Sequence, residues 1–304
     1  MLKQIRLFIL ALLFFIAQHA HAQGCSDAGF CTVNSLKPHT DDSIAIDKNN
    51  RFAFGLLHGK ADNNVAVYSG YAEYGRVLND DVRCDVKLSF LSQRGESTQR
   101  SGLSDIFFSA TYSLQNSNTI TLGLKIPLSG GNTEVNGLSL PMDYQSSLGT
   151  VDLLLGVGSQ FHGINMVAAL QQPLSQNKNR FFKEDYPVNS EFRKFTSTNN
   201  YKRSGDLLIR ISYPIRINST IVLTPSILPI YHLADDSYTT ISGSDLTITG
   251  SKGTTVNMNL YCTYSLNQTD RIEVSAGFPV QTRSIRPDGL TRSYIVATEY
   301  QTTF

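Results

Sequence analysis

The 304-residue chain reads as all-β, a transmembrane antiparallel β-barrel of about twelve strands. Three observations predict it. Apolar and polar residues alternate with a period of two and no helical 3.6-residue pattern is sustained, the mark of strands with two unlike faces. The links between these segments alternate between short turns and long polar loops. The final segment, LTRSYIVATEYQTTF, is itself such a strand and stops on Phe304.

The chain opens on an export signal over residues 1–22: Lys3 and Arg6, an apolar run from Leu7 to Ala17, then Ala20-His21-Ala22 as the cleavage site. The apolar run is too short for a membrane-spanning helix, and no run of about 18 apolar residues follows. Residues 23–50 are polar and irregular, and are expected to form a periplasmic lead-in that plugs the barrel from below. The barrel is expected over residues 51–304. Within the lead-in, Cys25 and Cys31 of GCSDAGFC suit a disulfide in an oxidising compartment. A metal site with Asp27 and His39 is the alternative, although the spacing differs from the close pair of zinc sites. Cys25 is also the position at which a lipoprotein would be lipidated.

The first strand is read at Arg51–His58 and the second at Val65–Gly75. The next five are Val82–Phe90, Ile106–Leu114, Ile120–Leu128, Val151–Phe161 and Ile164–Gln171. Then come Leu207–Tyr213, Ile221–Ile230, Val256–Leu266, Ile272–Val280 and the terminal strand. Pro225 and Pro229 predict a bulge in the ninth, because proline lacks the donor a paired strand needs. Turns fall at 78–81, 115–118, 162–163, 216–219 and 267–270. Long loops fall near 91–104, 129–149, 172–204, 232–253 and 281–290. An even strand number with short periplasmic turns puts both termini in the periplasm. The 172–204 loop carries Phe181, Phe182, Tyr186, Phe192, Phe195 and Tyr201 and is read as a packed cap over the mouth.

Composition agrees. Charged residues make up 17%, below the roughly 25% of soluble domains, while mean hydropathy is only −0.14, as one lipid face and one wet face require. The net charge of +1 points to no nucleic-acid partner. Trp is absent, so aromatic girdles must come from the 14 Tyr and 16 Phe. Tyr74, Tyr112, Phe161, Tyr213, Tyr264 and Phe304 fall at periplasmic strand ends on the apolar faces. Phe90, Phe278 and Tyr294 fall near the outer ends. A soluble antiparallel sandwich also alternates, but the signal, the loop asymmetry, the girdles and the terminal Phe favour the barrel. Cys84 and Cys262 lie on apolar faces as small hydrophobes.

The run Gly102-Leu103-Ser104-Asp105-Ile106, then Leu122-Gly123-Leu124-Lys125-Ile126-Pro127-Leu128-Ser129-Gly130-Gly131, then Ser147-Leu148-Gly149-Thr150-Val151-Asp152-Leu153, resembles the outer-membrane proteins named for the MetA pathway of phenol degradation. These are relatives of fatty-acid-transporter-like barrels. Pro127 is followed by Leu-Ser-Gly where that family shows Thr-Gly. The resemblance covers about residues 101–170 and its motifs are structural. It implies a passive channel for small, apolar or aromatic solutes in the outer membrane of a Gram-negative bacterium. GCSDAGFC is similar to segments of Bacteroidetes outer-membrane proteins.

The side chains expected to line the lumen are Arg83, Asp85, Lys87, Lys125, Asp152, Arg210, Arg271, Glu273 and Glu299. They form either an internal ion-pair network or a selective path. Phe304 is read as the assembly signal, so the expected partners are the barrel-assembly machinery, outer-membrane lipid and a small solute. No cofactor or catalytic residue is expected. A closed structural or adhesive barrel is one alternative. A lipid hydrolase is the other, with His58 or His232 near the outer rim, although no G-x-S-x-G occurs.

Overall fold

The computed structural model describes residues 36–38, 49–114, 117–290 and 292–304. Residues 1–22 and the pair Cys25 and Cys31 lie outside the described residues. Twelve strands form the wall: β1 (Asn50–Lys60), β2 (Ala66–Val77), β3 (Val82–Arg94), β4 (Gln99–Leu114), β5 (Asn118–Pro127) and β6 (Asp152–Phe161), followed by β7 (Ile164–Pro173), β8 (Asp206–Ser212), β9 (Ile221–His232), β10 (Gly253–Ser265), β11 (Asp270–Gln281) and β12 (Tyr294–Thr303). Each pairs antiparallel with its neighbours in sequence, and β12 pairs β1 from Arg51↔Thr303 to Lys60↔Tyr294. The sheet therefore has no free edge, which a chain in lipid requires because nothing there satisfies an exposed backbone group.

Alternation decides which face meets lipid. Leu56, Leu88, Leu122, Val157, Ile209, Leu260, Val274 and Val296 are exposed around the outside. Tyr74, Tyr112, Phe161, Tyr213, Tyr264, Tyr300 and Phe304 form an exposed ring at the short-turn end. Tyr68, Phe90, Tyr231 and Tyr294 sit toward the other end, the arrangement of two girdles around an apolar band. The Phe304 amide donates to the Asn50 carbonyl (3.0 Å), and the Asn50 amide donates back to the Phe304 carbonyl (3.1 Å), so the terminal residue pins the closing seam. Deleting Phe304 should impair barrel assembly while leaving export intact. Heat-modifiable mobility on gels reads this out, and a normal shift for the truncated chain would contradict it.

Two expectations are corrected. The ninth strand carries no bulge. Asp206 faces His232 and Ser212 faces Ser226, with the same number of residues between them on both strands. Pro229 costs a rung of the ladder without inserting a residue, so the register survives. Bulges occur elsewhere, between Leu88 and Phe90 opposite β4 and between Val256 and Asn257 opposite β11. The supposed long loop at 91–104 is mostly strand. β3 runs to Arg94, and Leu91↔Gly102 and Ser92↔Ser101 still pair, the two serine hydroxyls 2.8 Å apart. Once a strand leaves the lipid its outer face turns polar, and the alternation that identifies it fades.

The other long loops fold into a layer over one end. The 128–151 loop contains a small hairpin (Glu134–Val135 with Leu138–Ser139) and a single 3₁₀ turn, Met142–Tyr144. The 233–252 loop contains another hairpin, Ser237–Thr239 with Asp245–Thr247. Phe181, Tyr186, Phe192 and Phe195 pack with Leu140, Tyr144, Val65 and Val67 in one buried cluster. Each such side chain contributes roughly 1.5–3 kcal/mol by burial, so the aromatic loop is the packed cap that its composition suggested.

Candidate functional site

The interior has two unlike walls. On β12, β1, β2 and β3 it is ionic. Arg51 bonds Glu73 and lies 3.2 Å from Asp85, and Arg83 lies 3.1 Å from Asp85. Lys37, from the lead-in, pairs with Glu299 and donates to the Tyr71 hydroxyl at 3.3 Å. The Lys87 ammonium lies 3.9 Å above the Tyr71 ring. Gly55 makes that geometry available, since a Cβ there would fall 2.2 Å from the Tyr71 ring. Arg271 donates to Gln301 (2.8 Å), and Glu273 accepts from Thr263 (3.2 Å).

Across the barrel, β4 and β6 to β9 present Phe107, Leu154, Val167, Ala169, Leu208, Leu228 and Ile230 inward. Leu36 joins this cluster and is 2% exposed. Its carbonyl accepts from Arg210, and a Cβ on Gly156 would stand 2.6 Å from the Leu36 side chain. Glycine at 156 thus leaves the room that Leu36 fills.

Nearer the long-loop end, Lys125 and Asp152 form an internal ion pair at 2.7 Å, with Thr150 donating to Asp152 at 2.6 Å. The bulge in β4 turns both Ser104 and Asp105 inward, and Ser89 holds it by donating to the Asp105 carbonyl (2.9 Å). Re-aiming side chains is what bulges do. Asp105 then accepts from Ser147 (2.6 Å), and Gln93 donates to the Gln145 carbonyl (2.7 Å). These bonds draw the 142–150 segment down into the mouth. Beneath it lies a cavity of about 80 Å³, lined by Tyr71, Phe107, Leu148 and Leu290 and by Lys87, Lys125 and Arg292. That is enough for several waters or a small solute.

A second charged group joins the loops at the rim. Arg203 pairs with Asp206 and lies 3.5 Å from Asp288. Arg283 pairs with Asp288 and lies 3.7 Å from Asp236. His232 sits between Asp206 (Nδ1, 2.7 Å) and Asp236 (Nε2, 2.8 Å), and Tyr201 donates to Asp236 at 2.7 Å. Burial works to raise the Asp288 carboxyl, but Arg283 and Arg203 outweigh it and hold it well below the usual carboxylate range. Asp143, on the docked loop, goes the other way. Burial, helped by the Asp62 carboxylate and opposed by Arg292, pushes it up to about 8.

Of the nine side chains expected to line the lumen, Asp85, Lys87, Lys125, Asp152, Arg210 and Glu299 are buried and Arg83, Arg271 and Glu273 half-buried. Arg83, Asp85 and Lys87 meet on one wall, Lys125 and Asp152 pair, and Arg210 holds the lead-in. Arg51, Tyr71, Glu73 and Asp105 were missed. The first follows from Phe52 facing out, the next two lie in a strand with weak alternation, and Asp105 needed the bulge. The rim group could not be read from periodicity, since its members come from separate loops. His232 presents no uncommitted ring nitrogen to act as a general base. His58 lies on the outer wall, 3.0 Å from the Tyr294 hydroxyl and stacked on Tyr68.

No protein-family model matches the chain, and no curated protein matches it by sequence. Among solved structures it is similar to an outer-membrane channel from Pseudomonas putida F1, at 12% identity and a TM-score of 0.54, covering 88% of this chain and 100% of that one. It is also similar to the CymD monoaromatic hydrocarbon channel (8% identity, TM-score 0.45, 92% and 94% covered) and to the NanC porin (8%, 0.46, 84% and 98%). At these identities the likeness extends to the fold alone.

Proposed function

We propose that the chain is a passive outer-membrane channel for small solutes with apolar or aromatic bodies. The observation that carries this reading is the two-sided interior, an ion-paired wall opposite an apolar one, with a cavity nearer the long-loop end that the 142–150 segment covers. An inert structural barrel has no need of an apolar inner wall, whereas a solute with an apolar body does. The similar solved structures are consistent with it by fold. The motifs at 102–106, 122–131 and 147–153 favour the narrower kinship with the MetA-pathway family, and GCSDAGFC a Bacteroidetes source. On this reading the short turns and both termini face the periplasm, the loop layer faces outward, and the lining residues act as network and path at once.

The lead-in is then the inner plug, held by Leu36 in its apolar socket and by Lys37 on Glu299. Deleting residues 23–50 should raise single-channel conductance in planar bilayers several-fold. Replacing Leu36 with glutamate in the full chain should do the same, because burying an ionised carboxylate in the apolar socket of Phe107, Leu154 and Leu228 is costly. Unchanged conductance in both proteins would refute the plug. Failure of small neutral solutes to swell liposomes carrying either variant would favour a closed structural barrel.

A further inference from the structure

Below the apolar cluster, the wall of β8, β9 and β10 carries a patch unlike the rest of the interior. Ser212, Thr224, Ser226 and Asn257 are buried and point inward, beside the half-buried Asn259. The Ser212, Thr224 and Ser226 hydroxyls, both amide atoms of Asn257 and the Asn259 Nδ2 make no hydrogen bond among the described residues. They are neighbours by register: Ser212 faces Ser226, Ser226 faces Asn259, and Leu228 faces Asn257. Gly277 lies opposite Asn259 on β11, and a Cβ there would fall 2.3 Å from Asn259 Oδ1, so glycine clears space for the amide.

Buried polar groups normally find partners, and leaving them without one costs free energy. Elsewhere in this barrel the inward polar side chains mostly hold at least one ion pair or hydrogen bond, as Arg51, Glu73, Lys125 and Asp152 do, even where single atoms such as Arg51 Nε and Glu73 Oε2 make none. Five adjacent exceptions on three strands make sense if the wall serves a second state, in which something else supplies the bonds. None of the five is charged, and the neighbouring Arg210 is engaged with the Leu36 carbonyl, so the five themselves offer an ion no counter-charge. Hydroxyls and carboxamides offer donors and acceptors together, which suits a group rich in hydroxyls. Leu228 and Leu208 lie beside the patch and would take an apolar body.

We propose that this wall is a binding subsite for an uncharged solute carrying several hydroxyls on an apolar body, a class of which aryl glycosides are examples. It rests on the channel reading in that the solute gains the wall when the Leu36 segment withdraws. Asn257 and Ser226 sit at its centre and determine the preference for hydroxyls.

The test uses the refolded full chain with Leu36→Glu, and phenyl glucoside and benzyl alcohol as probes followed by saturation-transfer NMR. Phenyl glucoside should bind, and adding Asn257→Leu with Ser226→Val should weaken it at least tenfold while changing benzyl alcohol less than twofold. Equal binding of phenyl glucoside with and without the added pair, or no binding to Leu36→Glu, would overturn the subsite. An equal loss for both probes would also overturn it, because hydroxyl recognition would then play no part. Conductance of the same proteins separates this from the channel reading. Selective binding without conductance would leave the subsite standing and sink the channel, and conductance without selective binding would do the reverse.

Discussion

Replacing Arg203 with methionine should release the loop layer from the barrel rim. Arg203 pairs with Asp206 and Asp288 in a site where all three side chains are buried. Methionine matches the stem in length and apolarity but leaves Asp206 with His232 alone and Asp288 with Arg283 alone. Removing one partner of a buried pair typically costs about 3–5 kcal/mol, because the surviving charge stays desolvated. The cost should fall on the rim, since β8 and β9 keep their ladder. Proteolytic nicking within 174–205 and 282–293 should accelerate by at least tenfold, with the barrel core still resistant. A nicking rate equal to that of the parent would show that the aromatic cluster alone holds the layer.

The same group predicts a lower limit in pH. Asp288 is held below its ordinary value, so its ion pairs add stability that is fully present above the unfolded value of about 3.9. That stability is lost as pH falls through the depressed folded value. The rim should therefore loosen only in strong acid.

Asp143 sets the opposite dependence. In the docked loop its carboxyl is pushed up to about 8 by burial and by the Asp62 carboxylate, whereas an undocked loop would return it to about 3.9. Between these values docking takes up a proton. Docking is thus unimpeded below about pH 4, weakens by at most about tenfold per pH unit from there, and levels off above about 8. The mouth should open more often as pH rises across that window. Asp143→Asn should abolish the dependence and keep the loop seated at pH 8, since the amide has no charge to desolvate. Single-channel open probability between pH 5 and 9, recorded in the unplugged Leu36→Glu background, measures this, and a variant as pH-sensitive as its parent would exclude Asp143 as the cause.

The number of strands, their order and their inward and outward faces were determined by the sequence itself. With lipid on one side, a one-residue slip would turn every side chain to the wrong face, so the faces are strongly specified. The seam at Phe304 and the polar-face charges follow from the same counting. Strand ends above the lipid did not, because the outer face there loses its apolar signal, as at Leu91–Arg94. Nor did the absence of a bulge at Pro229, since a lost rung and an inserted residue look alike in sequence. Only the tertiary structure brought Arg203, His232, Asp236 and Asp288 together, and only it set Leu36 into the space over Gly156. Those contacts join residues far apart in the chain, and no local pattern encodes which loop will meet which. The barrel is written locally; what closes it is written across the fold.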